Sequence, residues 1–90
     1  MEVEVIYFGK LRDAADGKTK EIISVDDVDD LKGLLTSLGE RYGKNFTNAL
    51  DVAKGLRILV NGREYQMLSG MDTRLKEKDT VVLLPPIFGG

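Results

Sequence analysis

The first residues of the chain alternate between apolar and polar side chains, a pattern typical of a strand with one buried face. The residues on the apolar side are Val3, Val5 and Tyr7, and those on the polar side are Glu2 and Glu4. Ile6 and Phe8 make the later part of the same segment apolar on both sides. We therefore predict that the chain begins with a strand that is half buried at its start.

An apolar stripe with helical spacing occupies the middle of the chain and predicts the main helix, from residue 27 to about residue 41. Its members are Val28, Leu31, Leu34, Leu35, Leu38 and Tyr42. The run Asp26, Asp27, Asp29 and Asp30 suits the first turn of this helix, where carboxylates cap free amides and complement the dipole. Gly39 lies inside the helix at a cost of roughly 1 kcal/mol relative to alanine, so close packing is its expected compensation.

The other elements are shorter and are separated by turn residues. Further strands are predicted at 19–25, 56–60, about 64–67 and 80–84, a helical turn within 9–16, and a loop or short helix at 44–55. Asn61-Gly62 is a turn signal, because both residues tolerate positive φ. The last strand, which contains Val81-Val82-Leu83-Leu84, is apolar on both faces and is therefore predicted to lie in the interior of the sheet.

The predicted order of elements is strand, strand, helix, strand, short strand, strand. This is the order of an α+β fold of the β-grasp (ubiquitin-like) type, a mixed sheet of four to five strands with one main helix across one face. We assign residues 1–84 to this domain and residues 85–90 to a protruding C-terminal tail. A chain of 90 residues is long enough for one such domain with a small core.

Composition and charge exclude several classes of function. A formal net charge of −2 with dispersed lysines and arginines provides no electrostatic footprint for nucleic acid. The acidic start Met1-Glu2-Val3-Glu4 does not resemble a signal peptide, and no apolar run approaches the roughly 18 residues of a membrane span. We expect a cytoplasmic protein that binds neither nucleic acid nor membranes.

The sequence contains neither cysteine nor histidine. Their absence removes thiolate chemistry, disulfides, the common zinc sites and the usual general base near neutral pH. We therefore expect no metal site, no bound cofactor and no active site belonging to this chain alone.

The sequence ends with Pro85-Pro86-Ile87-Phe88-Gly89-Gly90. A terminal carboxylate is a poor acyl donor until it is activated, for example by transfer to the α-phosphate of ATP, after which a sulfur or nitrogen nucleophile can attack it. Because glycine lacks a Cβ, Gly89 and Gly90 can enter a narrow channel. Pro85 and Pro86 end the strand and stiffen the base of the tail. At about 3.3 Å per residue the tail spans roughly 20 Å, enough to enter a partner.

The sequence resembles the ubiquitin-related sulfur carriers, most closely the small subunits of molybdopterin synthase. The matching segments are 7–14 (YFGKLRDA), 38–42 (LGERY), 60–64 (VNGRE), 75–81 (LKEKDTV), Leu84-Pro85-Pro86 and Gly89-Gly90. The similarity covers nearly the whole domain, and Pro-Pro followed by a terminal Gly-Gly is its most specific part.

The resemblance implies that Gly90 is adenylated by a ubiquitin-activating-type enzyme, which consumes ATP, and is then converted to a thiocarboxylate by a sulfur donor enzyme. It further implies that the tail enters the large subunit of molybdopterin synthase and donates sulfur to cyclic pyranopterin monophosphate in molybdenum cofactor biosynthesis. Residues 85–89 would contact the partner, and Gly89 would keep the channel passable. The chain would be a non-catalytic, regenerated co-substrate.

Three alternatives remain open at this stage. The activated glycine can be attacked by a lysine amine, which would make the chain a protein modifier. The sulfur can instead serve thiamine or tRNA thiolation. The chain can also be an adaptor with an inert tail. Phe88, which stands where the similar carriers often have a small residue, is interpreted as an anchor for a partner pocket rather than a remnant of strand packing.

Overall fold

The computed structural model describes residues 1–24, 29–50 and 55–85, and these residues form a mixed sheet with helices against one face. The strands are β1 (Glu2–Tyr7), β2 (Lys20–Ser24), β3 (Arg57–Val60), β4 (Arg63–Glu64) and β5 (Thr80–Leu84). The helices are α1 (Gly9–Ala14), α2 (Leu31–Tyr42) and α3 (Lys44–Ala49), with two short 3₁₀ helices at Tyr65–Met67 and Gly70–Asp72. This is the predicted β-grasp architecture.

The last strand is interior, as its sequence predicted. Within the described residues, the strand order is β2-β1-β5-β3-β4. β1 runs antiparallel to β2 and parallel to β5, and β5 is antiparallel to β3. Because β1 and β5 are parallel neighbours, their carboxyl ends lie at the same end of the sheet. Residue 85 and the residues after it follow β5 at this end.

The core lies between one face of the sheet and the helices. Alternate residues of the strands point into it, namely Val3, Val5, Tyr7, Ile23, Ile58, Val60, Val81 and Leu83. The apolar stripe of α2 supplies Leu31, Leu34, Leu35 and Leu38, and Leu11, Ala15 and Phe46 come from or next to the two shorter helices. The helical stripe thus covers a sheet face, which is the packing that its width required.

The main helix begins later than the sequence predicted. Asp30 is its N-cap, and its side chain accepts a hydrogen bond from the backbone amide of Gly33 at 2.8 Å, whereas Asp29 lies before the helix and pairs with Arg74. The capping role is therefore confirmed for Asp30, and the start predicted at residue 27 was too early. Asp26 and Asp27 lie outside the described residues. Gly43 ends the helix with φ of 87°.

Gly39 faces the short helix α3, and this contact explains a glycine in the middle of a helix. A Cβ built at this position would lie 2.8 Å from Oγ1 of Thr47. The close packing expected from the sequence is confirmed here, and the segment 44–49, predicted as a loop or short helix, is a helix.

The predicted strand at about 64–67 is largely wrong. Within the segment 63–67, only Arg63 and Glu64 pair with β3, and Tyr65–Met67 is a 3₁₀ helix. Tyr65 is buried, so the chain turns inward there to fill the core instead of continuing along the sheet edge.

The turn at Asn61-Gly62 is confirmed, with φ of 52° and 84°. Asn61 does more than allow the turn. Its side chain donates to Asp79 at 2.8 Å and accepts from the backbone amide of Thr80 at 2.9 Å. Asp79 in turn accepts from the backbone amide of Lys76 at 2.8 Å. These bonds connect the β3–β4 hairpin to the loop that leads into β5.

Candidate functional site at the carboxyl edge of the sheet

The sequence placed the reacting group in the tail, and the structure describes the start of that tail. Pro85 directly follows β5 and is half buried. Pro86, Ile87, Phe88, Gly89 and Gly90 lie outside the described residues. The roles predicted for them, including that of Gly90, therefore stay predictions, and the described structure defines what surrounds the point from which they leave.

Pro85 lies against Gly9, the first residue of α1. Gly9 has φ of 57°, in the left-handed region that favours glycine. A Cβ built on Gly9 would lie 3.0 Å from Cγ of Pro85. The start of the tail is therefore seated on a backbone position without a side chain.

An apolar outer face of the sheet leads up to this exit. It consists of six residues on the side of the strands that points away from the helices: Ile6, Phe8, Ile22, Leu59, Val82 and Leu84. Ile6, Val82 and Leu59 form one row across the three central strands through the pairs Ile6↔Val82 and Leu59↔Val82. Ile22 is 57% exposed and Phe8 46% exposed, while the other four are half buried.

Charged side chains border the outer face on both sides. Lys20 approaches Glu4 with 3.8 Å between Nζ and Oε2, and Nε of Arg57 lies 2.7 Å from Oε1 of Glu64. Such an apolar centre with a polar rim is the usual anatomy of a protein–protein interface. Because both ion pairs are largely exposed, they contribute little to stability.

Sequence reasoning missed the outer face as a candidate docking surface, although its apolar residues were visible in the sequence. The two-sided apolar pattern of the last strand was interpreted as an interior position in the sheet, and that of Ile6 and Phe8 was noted without a conclusion about their second face. That interpretation gave the correct strand order. However, no described element covers the second face, so the same apolar residues form an accessible surface.

A second cluster of polar groups lies on the opposite side, where β2 meets the end of α2. One oxygen of Glu21, Oε1, accepts hydrogen bonds from the hydroxyl of Tyr7 at 2.6 Å and from the hydroxyl of Tyr42. The other, Oε2, lies 3.4 Å from both Lys18 Nζ and Arg41 Nη1. Lys18 also donates to the Tyr42 hydroxyl at 3.3 Å.

This cluster shifts the titration of its members. Burial would raise the pKa of Glu21, but the hydrogen bonds from Tyr42 and Tyr7 and the charge of Lys18 outweigh it, so that its pKa is lowered. Burial and the bond to Glu21 raise the pKa of Tyr7 and of Tyr42. Glu21 is thus held ionised and the tyrosines neutral. Every member has a partner, which indicates a structural cluster that closes the edge of the core.

Within residues 1–24, 29–50 and 55–85, no group of histidine, cysteine, aspartate and glutamate side chains is arranged to hold a metal ion. In the same residues, no helix has both the length and the apolar character of a membrane span.

Comparison with known proteins identifies the family. The family model described as the ThiS family matches residues 5–90. The chain belongs to the ThiS family. The match includes the outer face from Ile6 onward, the seat of Pro85 and the whole of the C-terminal tail.

Two curated relatives of this ThiS-family chain are similar over its full length. The small archaeal modifier protein 3 of Haloferax volcanii is 33% identical over 94 residues, which cover all of both chains. The molybdopterin synthase sulfur carrier subunit of Mycobacterium tuberculosis is 28% identical over 90 residues, covering all of this chain and 99% of the relative. The two names describe a modifier and a sulfur carrier on one scaffold.

A solved structure extends the comparison to a complex. A chain in the protein–protein complex of subunits 1 and 2 of the molybdopterin-converting factor from Helicobacter pylori is 29% identical to this chain, with a TM-score of 0.67 and complete coverage of both chains. The β-grasp fold of this ThiS-family chain is thus shared with a protein that assembles with a second subunit.

Proposed function

We propose that this chain is a sulfur carrier that acts as the small subunit of molybdopterin synthase. In this proposal, Gly90 is adenylated by a ubiquitin-activating-type enzyme, is converted to a thiocarboxylate by a sulfur donor enzyme, and then delivers its sulfur to the pterin precursor inside the large subunit. The chain takes part as a co-substrate in the cytoplasm, and ATP is consumed by the activating enzyme.

One observation carries the proposal. The outer face is an accessible apolar surface that runs to the edge of the sheet at which Pro85 leads into Ile87, Phe88, Gly89 and Gly90. A partner that binds this face is therefore placed where it can receive the tail. The full-length similarity to a chain named a molybdopterin synthase sulfur carrier subunit supports the choice of partner.

The chemistry follows from the carboxylate of Gly90. It attacks the α-phosphate of ATP and releases pyrophosphate, which gives an acyl adenylate with AMP as a good leaving group. Hydrosulfide supplied by the donor enzyme then attacks the acyl carbon, the acyl–oxygen bond to AMP breaks, and the products are the thiocarboxylate, AMP and a proton. Since the sequence has no cysteine or histidine, the nucleophiles and bases for these steps come from partners.

The chain's own contribution is placement. Docking through the outer face makes the reaction of Gly90 effectively intramolecular within the complex, because the translational and rotational entropy is lost on docking rather than in the reaction step. Ile87 and Phe88 act as apolar anchors that hold the tail in the partner, and Gly89 lets the last residue pass a narrow channel.

A second function, protein modification, is favoured by a separate observation. The relative named small archaeal modifier protein 3 is 33% identical over the full length of both chains. In that function a lysine amine attacks the same adenylate or an intermediate derived from it, so activation of Gly90 is common to both proposals, and only the final acceptor differs.

The test begins with intact-protein mass spectrometry of the chain purified from its own cells. Sulfur transfer predicts a fraction whose mass is increased by the replacement of one oxygen by sulfur, and modification predicts glycyl-glycine remnants on lysines of other proteins. Reconstitution with the large subunit and the pterin precursor should then form the dithiolene.

Two variants serve as matched tests of the terminal group. Deletion of Gly90 and addition of one alanine after Gly90 should both abolish the mass increase and dithiolene formation. Thermal unfolding should stay unchanged, because both changes lie outside residues 1–84. Full dithiolene formation by either variant would refute the role of Gly90. A thiocarboxylate that forms but never yields dithiolene would instead point to thiamine or tRNA thiolation.

A further inference from the structure

The contact between Gly9 and Pro85 links the end of β1 to the exit of the tail. Because β1 and β5 are parallel with Tyr7 opposite Leu83, Gly9 and Pro85 each follow the paired residues by two positions. Gly9 is where the chain leaves the sheet to form α1, and Pro85 is where the chain leaves the sheet toward the tail.

Two independent features favour glycine at position 9. Its φ of 57° lies in the left-handed region, in which a side chain is strained. A Cβ would also lie 3.0 Å from Cγ, 3.9 Å from Cδ and 4.0 Å from Cβ of Pro85. The first reason concerns the turn into α1, and only the second concerns the tail.

The turn itself is firmly held, so that it cannot yield easily to Pro85. The backbone amide of Leu11 donates to the carbonyl of Phe8 at 3.2 Å, and the Leu11 side chain is fully buried in the core. Pro85 has a fixed φ and no amide hydrogen, so a shift of its ring changes the direction of the residues after it. A side chain at position 9 would therefore displace the tail rather than the turn.

We infer that Gly9 is a positioning residue for the C-terminal tail: its missing side chain seats the ring of Pro85 and thereby sets the direction in which the chain continues from the docked domain to Gly90. This inference rests on the proposed function, since it concerns how Gly90 reaches the activating enzyme. It assigns no chemical step to Gly9.

The matched variants are Gly9→Ala and Gly17→Ala. Gly17 also has positive φ, of 77°, but a Cβ built there meets nothing within 4 Å. Both variants carry the backbone strain, and only Gly9→Ala adds the contact with Pro85. The measurement is ATP–pyrophosphate exchange by the activating enzyme with the full chain as substrate, together with thermal unfolding of each variant.

We expect Gly9→Ala to lower kcat by about tenfold. The reason is that a reacting group misplaced by up to about 1 Å reacts much more slowly. The KM for the chain should stay within about twofold, since the outer face still docks. Gly17→Ala should match the original chain in both constants. A merely structural role for Gly9 would instead affect both glycine variants alike.

The double variant Gly9→Ala/Pro85→Ala isolates the contact, because alanine lacks the Cγ that the new Cβ meets. It should have the same kcat as Pro85→Ala alone. If Gly9→Ala lowered kcat by the same factor in the original chain and in the Pro85→Ala variant, the inference would be overturned. If Gly9→Ala does not fold, Gly9→Asn replaces it in the same comparison, since asparagine tolerates positive φ and still carries a Cβ.

The outcomes separate this inference from the proposed function. If the original chain supports no exchange with the activating enzyme of its own organism, the proposed function fails. If the original chain is activated and Gly9→Ala is equal to Gly17→Ala, the positioning role alone fails.

Discussion

At the scale of single residues, Glu21 is the most consequential charge in the described structure. Its carboxylate accepts from two tyrosine hydroxyls and faces Lys18 and Arg41 at the margin of the core. Tyr7, Tyr42 and Phe46 pack edge-on or tilted around this point, with ring centroids 5.5–6.3 Å apart. Nothing in the sequence spacing of residues 7, 21 and 42 predicted this cluster, since each member comes from a different element.

We predict that Glu21→Gln destabilises the chain by about 1–2 kcal/mol at pH 7, because a charged acceptor of two hydroxyls becomes a neutral one. Glu40→Gln, on the exposed side of α2, is the control and should change the free energy of unfolding by less than about 0.5 kcal/mol. Urea denaturation measures both. An equal effect of the two variants would contradict the role of Glu21.

The same residue predicts a pH dependence. Folding lowers the pKa of Glu21, so its stabilising contribution is fully present above its pKa in the unfolded chain, about 4.3, and is lost as the pH falls through the lower folded value. The gap in unfolding free energy between the original chain and Glu21→Gln should therefore be constant above about pH 5.5 and narrow on acidification. If this difference in unfolding free energy increased on acidification, folding would raise the pKa of Glu21 instead of lowering it.

At the scale of elements, the sequence predicted which segments form and erred on where they begin and end. The stripe of α2 fixed the helix because its leucines repeat at the helical period. The first residue of α2 was predicted too early, because the sequence offers four aspartates within five positions and any aspartate can serve as an N-cap. The structure describes two of these aspartates, Asp29 and Asp30, and of these two Asp30 is the one that accepts a hydrogen bond from the Gly33 amide.

The N-cap gives the element-scale prediction. Asp30→Ala should cost about 1 kcal/mol, since it removes the acceptor of the Gly33 amide. Asp29→Ala removes only an exposed pair with Arg74 and should cost less than about 0.5 kcal/mol. Helical circular dichroism during urea denaturation follows both variants. If Asp29→Ala proved the more harmful, the cap would be wrongly assigned.

At the scale of the whole molecule, the outer face of the sheet extends to Leu84, the residue before Pro85. This face is not defined by a single element, because the row Ile6, Val82 and Leu59 joins residues distant in sequence through the parallel and antiparallel pairing of β5. The individual residues and elements discussed above build the scaffold. The docking step of the proposed function uses the outer face, which is formed only when the strands pair.

We predict that Ile22→Lys and Leu59→Lys each raise the KM of the activating enzyme for the chain by about tenfold, because a charge in the centre of an apolar contact must be desolvated on binding. Thr36→Lys, on the exposed side of α2 and across the sheet, should leave KM unchanged. Exchange kinetics measure the effect. Should Thr36→Lys raise KM while the other two do not, the docking surface would lie on the helices instead.

The sequence by itself determined the β-grasp order of elements, the interior position of β5 and the family resemblance, because hydrophobic period and turn chemistry are local properties of the chain. It also contains Gly89-Gly90, on which the proposed function rests. The tertiary structure alone decided that the second apolar face stays uncovered by the described residues, that Asp30 rather than Asp29 is the cap, and that Gly9 seats Pro85. Each of these depends on which segments, far apart in sequence, come to lie beside one another, and that is settled only when the sheet and its helices pack.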